Sequence, residues 1–372
     1  MTKKIALYRY FPKMMDFPRI EFVKVPTQVQ KLENVCKILD CPNIWVKRDD
    51  LSNPKYGGNK PRKYEFILAD AIKKNKKHLL TTGGIGSNHA LANTLFAKDL
   101  GMESHVYLFD QPLTKYVRKN LLCDQYYGAH FHYTKGINRT KLAIVWKLIR
   151  DRQACLIWPG GSNSIGTVGF VNAGLELADQ VKMGEIPEPD KLFVAVGSNG
   201  TCAGLLLGLE LAGLKTRVIG VGVSYISFAN KKEVLKLAQN TLKLMQKYDP
   251  SIPDVNQSLS NRLDVTHEFY GGEYGRVTYE GLEAMEIIKQ DNIQLEYTYT
   301  AKTFSALVAY CRENKKSKEE TLLFWNTQNS VDFSPIYSKV DYKTLPKALH
   351  KFFDGTIPLD ETPVYVHKIK ER

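Results

Sequence analysis

The sequence predicts an α/β protein: mostly parallel sheets covered on both faces by helices, arranged in two domains. Three observations carry this. Between residues 64 and 223, helix-length amphipathic runs alternate with short apolar runs of strand length. That is the pattern of parallel sheets whose crossovers are helices. Several strand runs end in glycine-rich polar turns that lead straight into a helix. The chain has 372 residues, 43% hydrophobic and 24% charged, which is long for one core and comfortable for two.

In chain order, the run Ile20–Val25 precedes a helix-like Gln28–Leu39 and a strand-like Ile44–Asp50. Helix Tyr64–Lys74 leads to strand His78–Thr82, helix Ala90–Leu100 to strand His105–Phe109, and helix Lys115–Tyr127 to His130–Tyr133. Helix Thr140–Arg150 leads to strand Cys155–Trp158. Helix Val168–Lys182, the strongly apolar strand Leu192–Val196, helix Cys202–Leu211 and strand Arg217–Val223 follow. Helix Lys231–Lys247 has an apolar stripe at Val234, Leu235, Ala238 and Leu242. Helices Tyr279–Lys289 and Lys302–Glu313 precede a last core strand, Leu322–Trp325. The tail from Asp341 to Arg372 is left unassigned, and there is no internal repeat.

The formal net charge is +13, but the basic residues are scattered, with small clusters at Lys73–Lys77, Lys231–Lys232 and Lys315–Lys318 on helical runs. No zinc-finger spacing, RNP-like signature or basic tail accompanies them, so nucleic acid is not an expected partner. Six cysteines with no framework spacing imply free thiols in a reducing, cytoplasmic setting. No run has membrane-span or signal-peptide length. His130 and His132 share one strand face with no third ligand evident, so no metal is expected. Cys202 reads as a packed thiol.

The stretch that organises the chemistry is Asn53–Lys63, which contains Gly57-Gly-Asn-Lys60-Pro61. Two glycines allow a tight turn, and Pro61 suits the first turn of a helix. Lys60 therefore sits at a loop-to-helix junction, beside Arg62 and Lys63. A desolvated lysine with cationic neighbours is a nucleophilic amine able to form a Schiff base. Four strand ends carry polar loops: Thr82–Ala90 with Ser87, Asn88 and His89; Trp158–Gly166; Gly197–Thr201; and Asn326–Ser330. The first also reads as a helix N-cap. Trp158–Gly166 reads as a hinge between domains. Gly197-Ser-Asn-Gly-Thr201 offers backbone amides and a helix N-terminus, fit for a single phosphate group. It lacks a P-loop lysine and the Gly-x-Gly-x-x-Gly of dinucleotide sites.

Taken together, Arg48–Leu51, Gly57–Lys63, Gly83–His89, Gly197–Thr201 and Tyr299–Lys302 resemble, in order, the motifs of fold type II pyridoxal-phosphate enzymes. The specific likeness is to the group of D-cysteine desulfhydrases and 1-aminocyclopropane-1-carboxylate deaminases, and it spans about residues 19–330. The resemblance implies a tryptophan synthase β-like fold, pyridoxal 5'-phosphate as cofactor, a small amino-acid substrate and a homodimer. It implies a large domain of residues 1–62 and 167–372 and a small one of 63–166. Lys60 would hold the cofactor covalently. Lys63, Gly197, Ser198, Asn199, Gly200 and Thr201 would hold its phosphate, and Asn88 its ring hydroxyl. Thr300 would partner the ring nitrogen. Ser87, Asn88, His89, Tyr299 and Thr327 would face the substrate, with Ser87 and Tyr299 catalytic beside Lys60.

Threonines at 300 and 327, where the deaminases carry glutamate and leucine, resemble the desulfhydrase pattern and favour β-elimination from D-cysteine. Ring opening of the cyclopropane, another eliminase or racemase activity, and an idle binding protein are the alternatives. Gly86 departs from the group's glutamine, and Gln328 and Asn329 replace its glycines.

Overall fold

The computed structural model describes residues 5–111, 113, 115–355 and 363–366. Among these residues there are ten strands: β1 (Val29–Lys31), β2 (Ile44–Lys47), β3 (His78–Gly84), β4 (Glu103–Phe109), β5 (His130–Lys135), β6 (Ala154–Leu156), β7 (Lys191–Val196), β8 (Arg217–Gly222), β9 (Leu263–Thr266) and β10 (Leu322–Trp325). They form a six-stranded sheet in the order β1-β2-β10-β7-β8-β9 and a four-stranded sheet in the order β5-β4-β3-β6. All pairings are parallel except β1 with β2. The expected α/β architecture is what the chain adopts.

The apolar strands are buried because helices cover both faces of the larger sheet. Every residue of β10 is buried, and Trp325 and Phe324 face opposite cores. On one face, helices Ser164–Lys182 and Gly200–Leu211 cross closely over small residues. A Cβ on Gly174 would lie 3.0 Å from Gly208 Cα, and one on Gly204 would lie 2.4 Å from Phe170 Cβ. The N-terminal residues Ile5, Leu7, Met14 and Phe17 join that core. Helices Glu33–Leu39, Tyr279–Lys289 and Thr300–Glu313 cover the other face.

Some expectations change. Gln28–Leu39 is not one helix. Val29–Lys31 pairs antiparallel with Trp45–Lys47, and the helix starts at Glu33. The competing force is a sheet edge that the local pattern does not reveal. Strand Ile44–Asp50 stops at Lys47, and Asp49–Leu51 turns as a 3-10 helix. The helix expected from Tyr64 begins at Lys60, with Pro61 in its first turn. The short edge strand β9 was not anticipated.

The tail after Tyr337 packs in two places. Leu345 and Leu349 are buried with Ile85, Val106 and Leu121 beside the smaller sheet. Val364 bridges Thr278, and the Tyr365 ring stacks on Tyr279 at 4.2 Å beside the larger one. Much of the remaining tail lies outside the described residues. All six cysteines are free. No described helix is long and apolar enough to cross a membrane.

Candidate active site

Parallel strands expose loops at their C-terminal ends, and in open α/β sheets those loops build sites. Here the loops of both sheets meet around one cavity of about 450 Å³. Lys60, Ser87, Asn88 and His89 line it, as do Gly197, Ser198, Asn199 and Thr201. Tyr299 and Thr327 complete the wall. Of the predicted residues, Lys63, Gly200 and Thr300 stand behind it.

Gly57 and Gly58 make the approach to Lys60 possible. A Cβ on Gly57 would meet Asp50 O at 2.0 Å, and one on Gly58, whose φ is +81°, would meet the carbonyls of Thr327 and Gln328 at 2.6 Å. Only glycine fits either position. Asn329 Oδ1 accepts from Gly57 N at 2.9 Å, so the bulk added at 329 anchors the lysine loop. Lys60 Nζ donates to Asn59 Oδ1 at 2.9 Å. Burial pushes the Lys60 amine down to about 8, with the Glu296 carboxylate pulling the other way. Such an amine is free in an appreciable fraction near neutrality.

The anion cradle lies behind Lys60. Lys63 Nζ, fully buried, donates to Gly160 O and Ser162 Oγ, both at 3.0 Å. Ser162 Oγ meets Ser198 Oγ at 2.7 Å and accepts from Gly200 N at 3.3 Å. Gly200 opens the helix Gly200–Leu211 after Asn199, whose φ is +68°. A Cβ on Gly200 would lie 2.6 Å from Ser162 Oγ and 3.1 Å from Lys63 Nζ. Burial, then the charge of Lys60, pushes the Lys63 amine well down. Both hydrogen bonds named for Lys63 go to neutral oxygens, so an anion would restore its charge. Ser162 and Gly160 belong to the loop read as a hinge. The signal that pointed to a ligand loop was its polar glycine-rich sequence at a strand end.

On the smaller sheet, Ser87 caps the helix Asn88–Asp99, accepting from Ala90 N at 3.2 Å, and also lines the cavity. The cap and the cavity position hold together. Asn88 Oδ1 is held by Asn120 Nδ2 at 2.9 Å. His89 is buried with Nδ1 3.1 Å from Tyr64 Oη. Burial, then Lys60 and Lys63, pushes its ring down to about 3, so the imidazole is neutral. Gly86 leaves room for Gln111. A Cβ on Gly84 would meet Gln111 Oε1 at 2.0 Å, and one on Gly86 would meet Gln111 Nε2 at 2.9 Å. A glutamine from the next loop thus lies over the segment.

The far wall is aromatic. Tyr299 packs its ring against Gly197, where a Cβ would lie 3.1 Å from Cε1, and its hydroxyl bonds that of Tyr274. Burial raises both phenols, Tyr274 to about 12, so both stay protonated. Thr300 is buried, its hydroxyl accepting from Glu296 N at 3.0 Å and donating to Glu296 Oε1 at 3.2 Å. Between Thr300 and the cavity the chain places Glu296, a lining residue that belongs to none of the sequence motifs. Its carboxylate accepts from the amides of Thr298, Tyr299 and Thr300 at 2.8–2.9 Å.

Residues 20–327 match the protein family described as pyridoxal-phosphate dependent enzyme. The chain belongs to that family. Members use pyridoxal phosphate, and the chain is accordingly a pyridoxal-phosphate-dependent enzyme of the lyase and deaminase kind. It is 31% identical over 329 residues to a Pyrococcus horikoshii protein provisionally named 1-aminocyclopropane-1-carboxylate deaminase, covering 86% of this chain and 94% of that one. It is 27% identical over 333 residues to the D-cysteine desulfhydrase of Serratia proteamaculans, covering 85% and 94%. A crystal structure of an ACC deaminase homologue superposes with a TM-score of 0.74 at 28% identity, over 92% of this chain and 98% of that one. A bacterial threonine deaminase shares the fold, with a TM-score of 0.58 at 21% identity, over 89% and 99%.

The residues of this family member fit the cofactor. One amine near pKa 8 faces the cavity. Behind it, Lys63, Ser162, Ser198 and the Gly200 amide gather from three segments as one donor set, crowded enough that added Cβ atoms collide. That is the chemistry a phosphate monoester requires.

Proposed function

We propose that the enzyme is a lyase that eliminates thiol from D-cysteine, giving pyruvate, sulfide and ammonia with uptake of one water. The observation that carries the reading is one cavity that joins the Lys60 amine to Ser87 and Tyr299, with the donor set around Lys63 at its back. Bound cofactor supplies an aldehyde for the substrate amine and a ring that draws electrons from the α-carbon. Lys60 Nζ, as a free amine, takes the α-proton. Ser87 Oγ holds the substrate carboxylate or passes a proton. Tyr299 flanks the ring, its protonated hydroxyl fixed by Tyr274. Thr327, the desulfhydrase-like residue, lines the cavity and supports elimination, while the Thr300 hydroxyl bonds Glu296 behind the wall and would have to turn from it to serve as a neutral partner of the ring.

Glu296 favours a second reading. A carboxylate in the cavity wall suits a stronger sink and hence opening of 1-aminocyclopropane-1-carboxylate to 2-oxobutanoate. The test is to assay the two substrates side by side. Sulfide and pyruvate from D-cysteine, with slower release of 2-oxobutanoate, is the expected result. Faster ring opening would replace the first reading by the second.

We also read the chain as two domains, residues 63–166 around the four-stranded sheet and the remainder around the six-stranded one, and as a homodimer. A monomeric mass by light scattering would remove the dimer.

A further inference from the structure

We infer that the end of the four-stranded sheet remote from the cavity is a binding site for one divalent transition ion of the zinc class, held by Glu103, His105 and His130, with His78 beside them. Parallel register brings these residues together: His78 lies beside Glu103 across β3 and β4, and His105 beside His130 across β4 and β5. One oxygen, Glu103 Oε2, lies 3.3 Å from His105 Nε2, 3.6 Å from His78 Nε2 and 3.8 Å from His130 Nε2. Donors about 2.0–2.1 Å from a tetrahedral zinc stand roughly 3.3 Å from one another. The donor atoms of Glu103, His105 and His130 all lie within 4.8 Å of one another, close to the size such an ion requires.

The outer nitrogen of His105 is already engaged: Nδ1 lies 3.1 Å from His132 Nε2. Imidazoles that bind metal use such outer partners to fix tautomer and orientation. The adjacent cation Lys147 is paired with Asp151 at 2.9 Å. Two nitrogens and one oxygen, with water in the fourth place, suit zinc over calcium or magnesium, which favour all-oxygen sites. The site lies at the starts of the strands and the cavity at their ends, near Thr82–Gly84 and Phe109. The ion would clip β4 to β5 and take no part in turnover.

The experiment uses cofactor-loaded enzyme, stripped with a chelator, desalted, and titrated with zinc chloride by calorimetry. We expect one zinc per chain and a higher melting temperature with zinc. Glu103→Gln and His130→Ala, both about half exposed and thus tolerant of change, should each weaken binding at least tenfold. Bound cofactor and turnover should be unchanged. No bound equivalent in the parent enzyme, or undiminished binding in both variants, would overturn the site.

Discussion

Arg62 grips Asp49 side-on, Nε to Oδ2 at 2.9 Å and NH2 to Oδ1 at 2.8 Å, with neither side chain more than 1% exposed. Glu176 receives the other guanidinium edge at 2.9 Å and Lys47 at 2.7 Å, while Trp325 Nε1 donates to Asp49 at 2.8 Å. This knot ties β2, β10 and the long Ser164–Lys182 helix to the turn that begins with Lys60. Burial pushes the Glu176 carboxyl up, but Arg62 and Lys47 outweigh it and hold it at about 2.

Glu176→Ala should therefore destabilise the protein by about 3–5 kcal/mol, because it leaves two cations buried and underpaired. Chemical denaturation of parent and variant measures it. The folded value lies below the ordinary 4.5, so the parent's advantage is complete above pH 4.5 and is lost as pH falls toward 2. A gap between the two proteins that stays constant from pH 6 to pH 3 would contradict the network.

Lys60→Ala should abolish the yellow colour of the loaded enzyme, and borohydride should trap the cofactor on Lys60 in the parent. The rate of loading apoprotein with pyridoxal phosphate should rise with pH to a midpoint near 8, the value to which burial lowers this amine. Stopped-flow absorbance records it. Label on another lysine, or a midpoint near the ordinary 10.5, would remove Lys60 from the role.

Lys63→Met should weaken cofactor affinity by roughly ten- to a hundredfold, the loss of one charge-assisted hydrogen bond of about 1.5–3 kcal/mol. Gly200→Val should do the same by steric means, since its Cβ would meet Ser162 Oγ at 2.6 Å. Equilibrium titration of apoprotein reads both. Unchanged affinity in a folded Gly200→Val would reduce the loop to a turn.

Ser87→Ala tests two roles of one hydroxyl. Loss of the cap should cost about 1 kcal/mol of stability. Loss of a proton-transfer group should lower kcat by about 10²–10⁴-fold with cofactor affinity intact. A stability loss with normal kcat would leave Ser87 a cap alone.

The helices and central strands were legible because apolar periodicity is local. Lys115–Tyr127, Tyr279–Lys289 and Leu322–Trp325 fall where their patterns place them. β1 and β9 were not, since a short edge strand is defined by its partner more than by its own residues. In the candidate site, the residues on strand-end motifs were readable. Ser162, Glu296 and Gln111 were not, because each reaches the cavity or its motif loops through a loop whose sequence has other readings. His130 was legible as a histidine on a strand face. His105 and Glu103 join it only through register across β4 and β5.

The burial of Leu345 and Leu349 against Ile85, Val106 and Leu121 has a consequence for biosynthesis. A ribosome delivers the smaller sheet long before it delivers the residues that cover it. Until then, that apolar patch faces water or a chaperone. The opposite end of the chain waits too: Leu7 N donates to Asn172 Oδ1, a partner made 165 residues later. Folding of this enzyme is thus weighted toward the end of synthesis, when aggregation competes most strongly with long-range closure. A chain stopped at residue 340 would keep every proposed site residue, yet should emerge as a sticky, poorly recovered protein.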